Sequence, residues 1–302
     1  VDCAPCPIDS TAEPAMLKIV LAAAFAAAAT CGGSALAQGH SPTLARIKAA
    51  KSINVAFSPD SAPFSAAAAN APPEGYSIEL CKRAIAQIAR ALGEPELKIN
   101  WIPGSVEQRL QMVADGRAEL DCANTTQTQT RLAQVDFSNL IFVDGGGLLV
   151  KSGAPINRIA DLDGKRVAVL KGTTTEQRLE KALRLRQVQA TLMPVDAAGV
   201  GLSLLEAGTV DAYAGDKVKL AALAMQARDP ARVALVLEDF SFEPYAFALP
   251  RNDSALRLEV NRALTQAYVG GDIDTIFEQW LGKLGRPTGL LAMMYLLNAI
   301  PE

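Results

Sequence analysis

The stretch Asp121-Cys-Ala-Asn-Thr-Thr-Gln-Thr-Gln-Thr-Arg131, followed by Asp136-Phe-Ser138, decides how the rest of the chain is read. Residues 118–122 read as a strand, and the polar run after them as a loop at the strand's end. Arg131 can grip a carboxylate with two parallel hydrogen bonds. Asn124, Thr125 and Thr126 offer smaller polar contacts beside it. Such a loop suits a small zwitterion better than a polymer or a membrane. A solvated turn leading into a helix would explain the same residues, so the surroundings decide.

Toward the N-terminus, 41–50 reads as a helix and 52–57 as a strand. The turn-rich Pro59-Asp60-Ser61-Ala62-Pro63-Phe64 follows. In open α/β sheets such loops at strand ends face the ligand crevice. A helix over 77–92 is predicted from Ile78, Cys81, Ile85, Ile88 and Leu92 at helical spacing. A strand at 98–102 and a helix at 106–116 complete the unit. This alternation predicts a mostly parallel sheet with helices on its faces, an α/β fold.

Toward the C-terminus, extended segments 140–143 and 148–150 flank Gly145-Gly146-Gly147, which predicts a bulge or a hinge. A strand at 166–170 leads to Gly172-Thr-Thr-Thr-Glu176 and a helix to about 186. Thr173 with Glu176 matches a capping box, and a helix start can hold an anion on its free N–H groups. A second unit has a strand at 190–195, a helix at 200–207 and a strand at 210–214 that ends on Gly215-Asp216. Asp216 is placed either to meet a ligand ammonium or to cap the helix predicted at 217–227. Strands at 234–237 and 242–250 follow, then helices at 256–270 and 273–284, with Trp280 packed. The apolar tail 290–300 is expected to dock on the body. The halves share a β-α-β rhythm without an internal sequence repeat.

The chain has 302 residues, room for about two domains. With 29 basic and 32 acidic residues its net charge is −3, and no basic cluster interleaved with aromatics points to nucleic acid. Met16-Leu-Lys-Ile-Val-Leu opens an alanine-rich apolar run that closes on Ala35-Leu36-Ala37. One lysine, a short apolar stretch and an Ala-x-Ala site predict a signal peptide over 16–37 and delivery to the periplasm. The run is shorter than the roughly 20 residues a spanning helix needs. Ala28-Ala-Thr30 is a poor lipobox for Cys31. Residues 1–15 are set aside as an upstream segment. Cleavage after Ala37 removes Cys3, Cys6 and Cys31 and leaves Cys81 and Cys122. An even pair in an exported chain can form a disulfide or stand as two buried thiols, and we expect the bridge. The single histidine, His40, sits near the predicted mature start, which removes the usual general base from a catalytic scheme. No metal site or cofactor is expected.

Together these segments resemble the periplasmic solute-binding proteins of polar amino acid ABC transporters, and the glutamate/aspartate branch most closely. The resemblance spans about 43–283. It rests on Ala62-Pro-Phe64, Gly75-Tyr-Ser77, Thr125-Thr126 with Arg131, Phe137-Ser138, Gly172-Thr-Thr174, Asp216 and Gln279-Trp280 in this order. It implies a two-lobed fold with two crossover strands, near 141–147 and 240–245, as the hinge. Lobe 1 would comprise 41–143 with 244–285, lobe 2 144–243, and a tail 286–302. It further implies that Arg131 takes a ligand α-carboxylate, helped by the helix start at Thr174, and that Asp216 takes the ammonium. Asn124 stands where relatives that bind acidic ligands usually carry serine, Thr126 matches directly, and Arg109 matches an arginine that reaches the ligand side chain.

Three positions depart from the acidic-ligand pattern. Ser58 replaces an arginine, Val106 a small hydroxyl residue, and Ala198 a histidine. The set that recognises the amino acid backbone is kept and the side-chain set is largely lost. A neutral amino acid is therefore as compatible as an acidic one. The implied function is capture of an amino acid by a monomer and its delivery to an inner-membrane ABC permease. A small cleft enzyme of dehydratase type would need a catalytic carboxylate, for which Asp60, Glu74 and Asp216 are candidates by position. A sensory binding protein is a third reading.

Overall fold

The computed structural model describes residues 41–69, 71–236 and 238–301. The expected signal peptide, the upstream segment, Cys31 and His40 lie outside the described residues.

The strands run in chain order as β1 (Ser52–Phe57), β2 (Asp60–Ser61), β3 (Ser65–Ala66), β4 (Lys98–Pro103), β5 (Leu120–Asp121), β6 (Asp136–Lys151), β7 (Arg166–Leu170), β8 (Thr191–Val195), β9 (Ala212–Asp216), β10 (Val233–Leu235) and β11 (Ser241–Leu249). Nine form one sheet in the order β4-β1-β5-β11-β6-β9-β7-β8, with β10 beside β6; β2 and β3 pair apart from it. β1 lies parallel to β4 and β5, and β7 parallel to β8 and β9. These are the two predicted parallel units. The long strands β6 and β11 run antiparallel to each other between them.

Each unit buries its own apolar face. In the first, Ile53 and Val55 of β1 pack with Ile78, Cys81, Ile85 and Ile88 of the helix Tyr76–Leu92. The 3.6-residue period places those helical side chains on one stripe. In the second, Val167 and Val169 of β7 meet Leu179 and Leu183 of the helix Thr174–Arg186. Burying each such side chain contributes about 1.5–3 kcal/mol.

An aromatic knot ties the loop after β2 to the crossover strands. Phe64 meets Phe142 of β6 at 4.9 Å and Tyr245 of β11 at 5.3 Å, both edge-on. Such pairs add about 0.5–1.5 kcal/mol beyond their buried area. The knot holds the segment 58–61 against the hinge.

Of the bulge and the hinge expected at the glycine run, the bulge is not found. β6 is continuous through Gly145, Gly146 and Gly147, and the register shifts against β11 fall at Tyr245/Ala246 and Ala246/Ala248 instead. A methyl on Gly145 would strike the Asp239 carboxylate, one on Gly146 Phe240, and one on Gly147 the Lys217 stem. The glycines let the second crossover and the helix Lys217–Ala224 approach closely. The strand expected at 118–122 is also shorter, since only Leu120 and Asp121 pair.

The tail forms the helix Gly289–Asn298, docked by Leu291, Met294 and Tyr295. The Tyr295 hydroxyl lies 2.7 Å from that of Tyr76, which also donates to the Ile141 carbonyl at 2.7 Å. Cys81 and Cys122 are bonded, with Cα atoms 5.9 Å apart. The bridge pins the helix Tyr76–Leu92 to the start of the polar loop.

Candidate functional site

Ser58, Arg109, Asn124, Thr126, Arg131, Thr174 and Asp216 all line one cavity of about 90 Å³ between the two parallel units. Asp216 comes from a strand end and Thr174 from a helix start, the kind of crevice position where α/β sheets bind ligands.

Arg131 enters from the short helix Gln129–Leu132, whose start is capped by Thr128. One terminal nitrogen donates to the Thr126 carbonyl at 2.7 Å. That bond aims the guanidinium and leaves further donors for an anion. Burial pulls its pKa down, and the nearby carboxylates of Asp121, Glu243 and Asp216 oppose that pull.

Asp216 ends β9 and precedes the helix Lys217–Ala224, but its side chain makes no capping hydrogen bond to that helix. It turns into the cavity. There it accepts from the Thr175 hydroxyl at 2.7 Å and from the Asn124 amide at 3.2 Å. The capping role weighed from the sequence is therefore not taken up by this side chain. Asn124 meets this carboxylate across the cleft.

The hydroxyls of Thr126 and Thr174 both turn to Glu243. Each donates to the Glu243 carboxylate at 2.8 Å, and they lie 3.2 Å from each other. Ser241 donates to the other Glu243 oxygen at 2.6 Å. A hydroxyl has one proton, so an anion in the cavity is left the backbone N–H groups at the helix start and Arg131. The half-formed capping box leaves that start open. Thr173 accepts from Glu176 N at 3.2 Å, while the Glu176 carboxylate reaches Gly172 N at 2.7 Å.

Glu243 was not foreseen. It is fully buried on β11. The available signal was a lone charge within the otherwise uncharged run Phe240-Ser-Phe-Glu-Pro-Tyr-Ala-Phe-Ala-Leu249. Asp144 on β6 is the second such residue. Burial, reinforced by the charge of Asp216, pushes its pKa up to about 7, although Gly145 N and Val218 N both donate to it.

Arg109 is brought to the cavity but its nitrogens are engaged. Nε donates to Asp121 at 2.8 Å, Nη1 to the Gly104 carbonyl at 2.8 Å and Nη2 to Thr125 at 3.2 Å. Ser58 faces Ser61 at 2.8 Å and donates to Asp60 at 3.2 Å. Among the described residues, no group of three or more His, Cys, Asp or Glu is placed to hold a metal. Among the same residues, no helix is long and apolar enough to cross a membrane.

With this geometry in place, comparison with known proteins gives a consistent result. Residues 53–283 match the bacterial extracellular solute-binding proteins, family 3. The L-glutamate/L-aspartate-binding protein of Pseudomonas aeruginosa is 29% identical over 278 residues, 92% of this chain and 90% of that one. An ancestral arginine-binding protein solved with glutamine superposes with a TM-score of 0.67 at 30% identity, over 77% of this chain and 98% of that one. The ancestral amino acid-binding protein AncCDT-1, a precursor of cyclohexadienyl dehydratase, does so with a TM-score of 0.68 at 26% identity, over 79% and 98%.

Proposed function

The chain belongs to the bacterial extracellular solute-binding proteins, family 3, and from that premise we propose that it captures one amino acid zwitterion between two lobes and delivers it to an ABC permease for import. The observation that carries this reading is the facing pair. Arg131 and Asp216 line one small cavity with opposite charges, one from each lobe. That dipole matches an α-carboxylate and an α-ammonium. The backbone N–H groups at Thr174 and Thr175 support the carboxylate end. Asn124 and Thr175 hold Asp216 for the ammonium.

The reading assigns 41–143 with 244–285 to lobe 1, 144–243 to lobe 2 and 286–302 to a tail, with β6 and β11 as the hinge. It places the mature chain in the periplasm as a monomer. The leader read from the sequence and the extracellular family support export. Transport is favoured over catalysis because the two carboxyls that burial shifts upward, Asp144 and Glu119, are not among the residues lining the cavity.

A thermal-shift panel of the common amino acids tests the proposal. A ligand at about 100 times its dissociation constant adds roughly 2.7 kcal/mol of apparent stability. If no amino acid raises the melting temperature of the exported protein, the reading fails.

A further inference from the structure

The part of the cavity lined by Ser58, Asp60 and Ser61 has a chemistry of its own. Its first-lobe wall is the segment 58–61, held by the aromatic knot. Ser58 and Ser61 are both buried to 4% exposure, with their hydroxyls 2.8 Å apart. Ser58 is stapled in place, since its backbone N–H meets the Ser65 hydroxyl at 3.1 Å and Ser65 donates back to its carbonyl at 2.8 Å. Asp60 completes the wall. One of its oxygens accepts from Ser58; the other reaches across the cleft to the Ala198 backbone N–H at 3.4 Å.

Ala198 begins a helix, Ala198–Ala207, whose N-cap residue, Ala197, offers no side-chain cap. A free helix start attracts anions. Here the chain's own carboxylate already lies against it. A ligand's second carboxylate would have to displace Asp60 or sit beside it. Arg109, the cation on the first-lobe side, is matched by Asp121 at 2.8 Å. Val106 contributes only an apolar surface, and Lys171, Asp196 and Lys219 stand on the second-lobe side.

We infer, on the basis of the amino acid reading above, that this wall selects a small uncharged side chain carrying a hydrogen-bond donor, a hydroxyl first of all, and that Asp60 is the residue that turns away a second carboxylate. The donor meets the Asp60 and serine oxygens. The cavity is small, about 90 Å³, which favours a short side chain.

Isothermal titration of the mature protein with L-serine, L-alanine, L-aspartate and L-glutamate tests this, with Asp60→Asn and Asp216→Asn as variants. The wild type is expected to bind serine at least about tenfold more tightly than alanine, and both acids more weakly than serine. Asp60→Asn is expected to strengthen aspartate and glutamate binding about tenfold or more. Aspartate or glutamate as the tightest wild-type ligand would overturn the inference and assign the side chain to Lys171 and Lys219. Acid affinities unmoved by Asp60→Asn would overturn it as well. In both cases loss of all binding in Asp216→Asn would leave the amino acid reading intact. Absence of binding by any of the four in the wild type overturns the inference, and the full amino acid panel then decides whether the parent reading falls with it.

Discussion

The Asn124 amide donates to the Asp216 carboxylate at 3.2 Å, from the loop after β5 to the end of β9. Two segments far apart in sequence thus share the group proposed to receive the ammonium. Asp216→Asn keeps the shape and removes the charge. It is expected to weaken amino acid binding by about 2–5 kcal/mol, because a buried partner of a cation is lost. Calorimetry measures the loss, and an unaltered circular dichroism spectrum confirms the fold. Affinity close to wild type would place the ammonium elsewhere.

Arg131→Lys keeps a positive charge but loses the planar fork. One Arg131 nitrogen already serves the Thr126 carbonyl at 2.7 Å, so a lysine could satisfy either that carbonyl or the ligand well, not both. The expected cost is again about 2 kcal/mol or more, roughly 30-fold in dissociation constant. A variant that binds as the wild type does would show that the carboxylate rests on helix N–H groups alone.

Glu243 gathers the hydroxyls of Thr126, Thr174 and Ser241 at 2.6–2.8 Å while fully buried. Hydrogen bonds to a charged group contribute about 1.5–3 kcal/mol each, and leaving buried donors unmatched adds to the loss. Glu243→Gln turns one acceptor into a donor facing those hydroxyls. The urea midpoint is expected to fall by the equivalent of about 1–3 kcal/mol at unchanged slope. An unmoved midpoint would mean that the three hydroxyls contribute nothing through this carboxylate.

Asp144 gives the stability a pH dependence. Its pKa is raised from 3.8 to about 7, by burial first and by Asp216 second. Between those values the unfolded chain has released the proton and the folded chain still holds it. Stability from this group is therefore greatest at low pH and declines as pH rises toward 7. Asp144→Asn removes the decline, so its stability relative to wild type should grow from about pH 4 to about pH 7 and level off above that. Chemical unfolding across that range is the check, and parallel curves for the two proteins would refute it.

Much of the architecture was legible because local periods report it. Ile78, Cys81, Ile85 and Ile88 announced their helix, and the strand ending on Asp216 announced a residue facing the crevice. Even parity gave the Cys81–Cys122 bridge as one of two options. The proton assignments were not legible. Thr126 looks like an anion ligand in isolation, and only the fold brings Glu243 to it across 117 residues of chain. The same holds for Gly145, Gly146 and Gly147. Their sequence signals permissive backbone, but the neighbours that demand a missing side chain, Asp239, Phe240 and Lys217, come from distant segments. Arg109 lines the cavity, yet its commitment to Asp121 is a partner choice that no spacing rule states.

The Cys81–Cys122 bond has a consequence for when the molecule becomes able to work. It lies two residues ahead of Asn124 and closes a separation of 41 residues. Such a closure removes chain freedom equivalent to about 4 kcal/mol in the loop-entropy picture. In a reducing compartment that tether stays open, and the loop carrying Asn124, Thr126 and Arg131 must find its place unaided. Under the proposed export, oxidation would act as a maturation step for the binding loop. If the chain is exported as proposed, its catch would be slack on the reducing side and tightened after export, which would disfavour premature capture of solute.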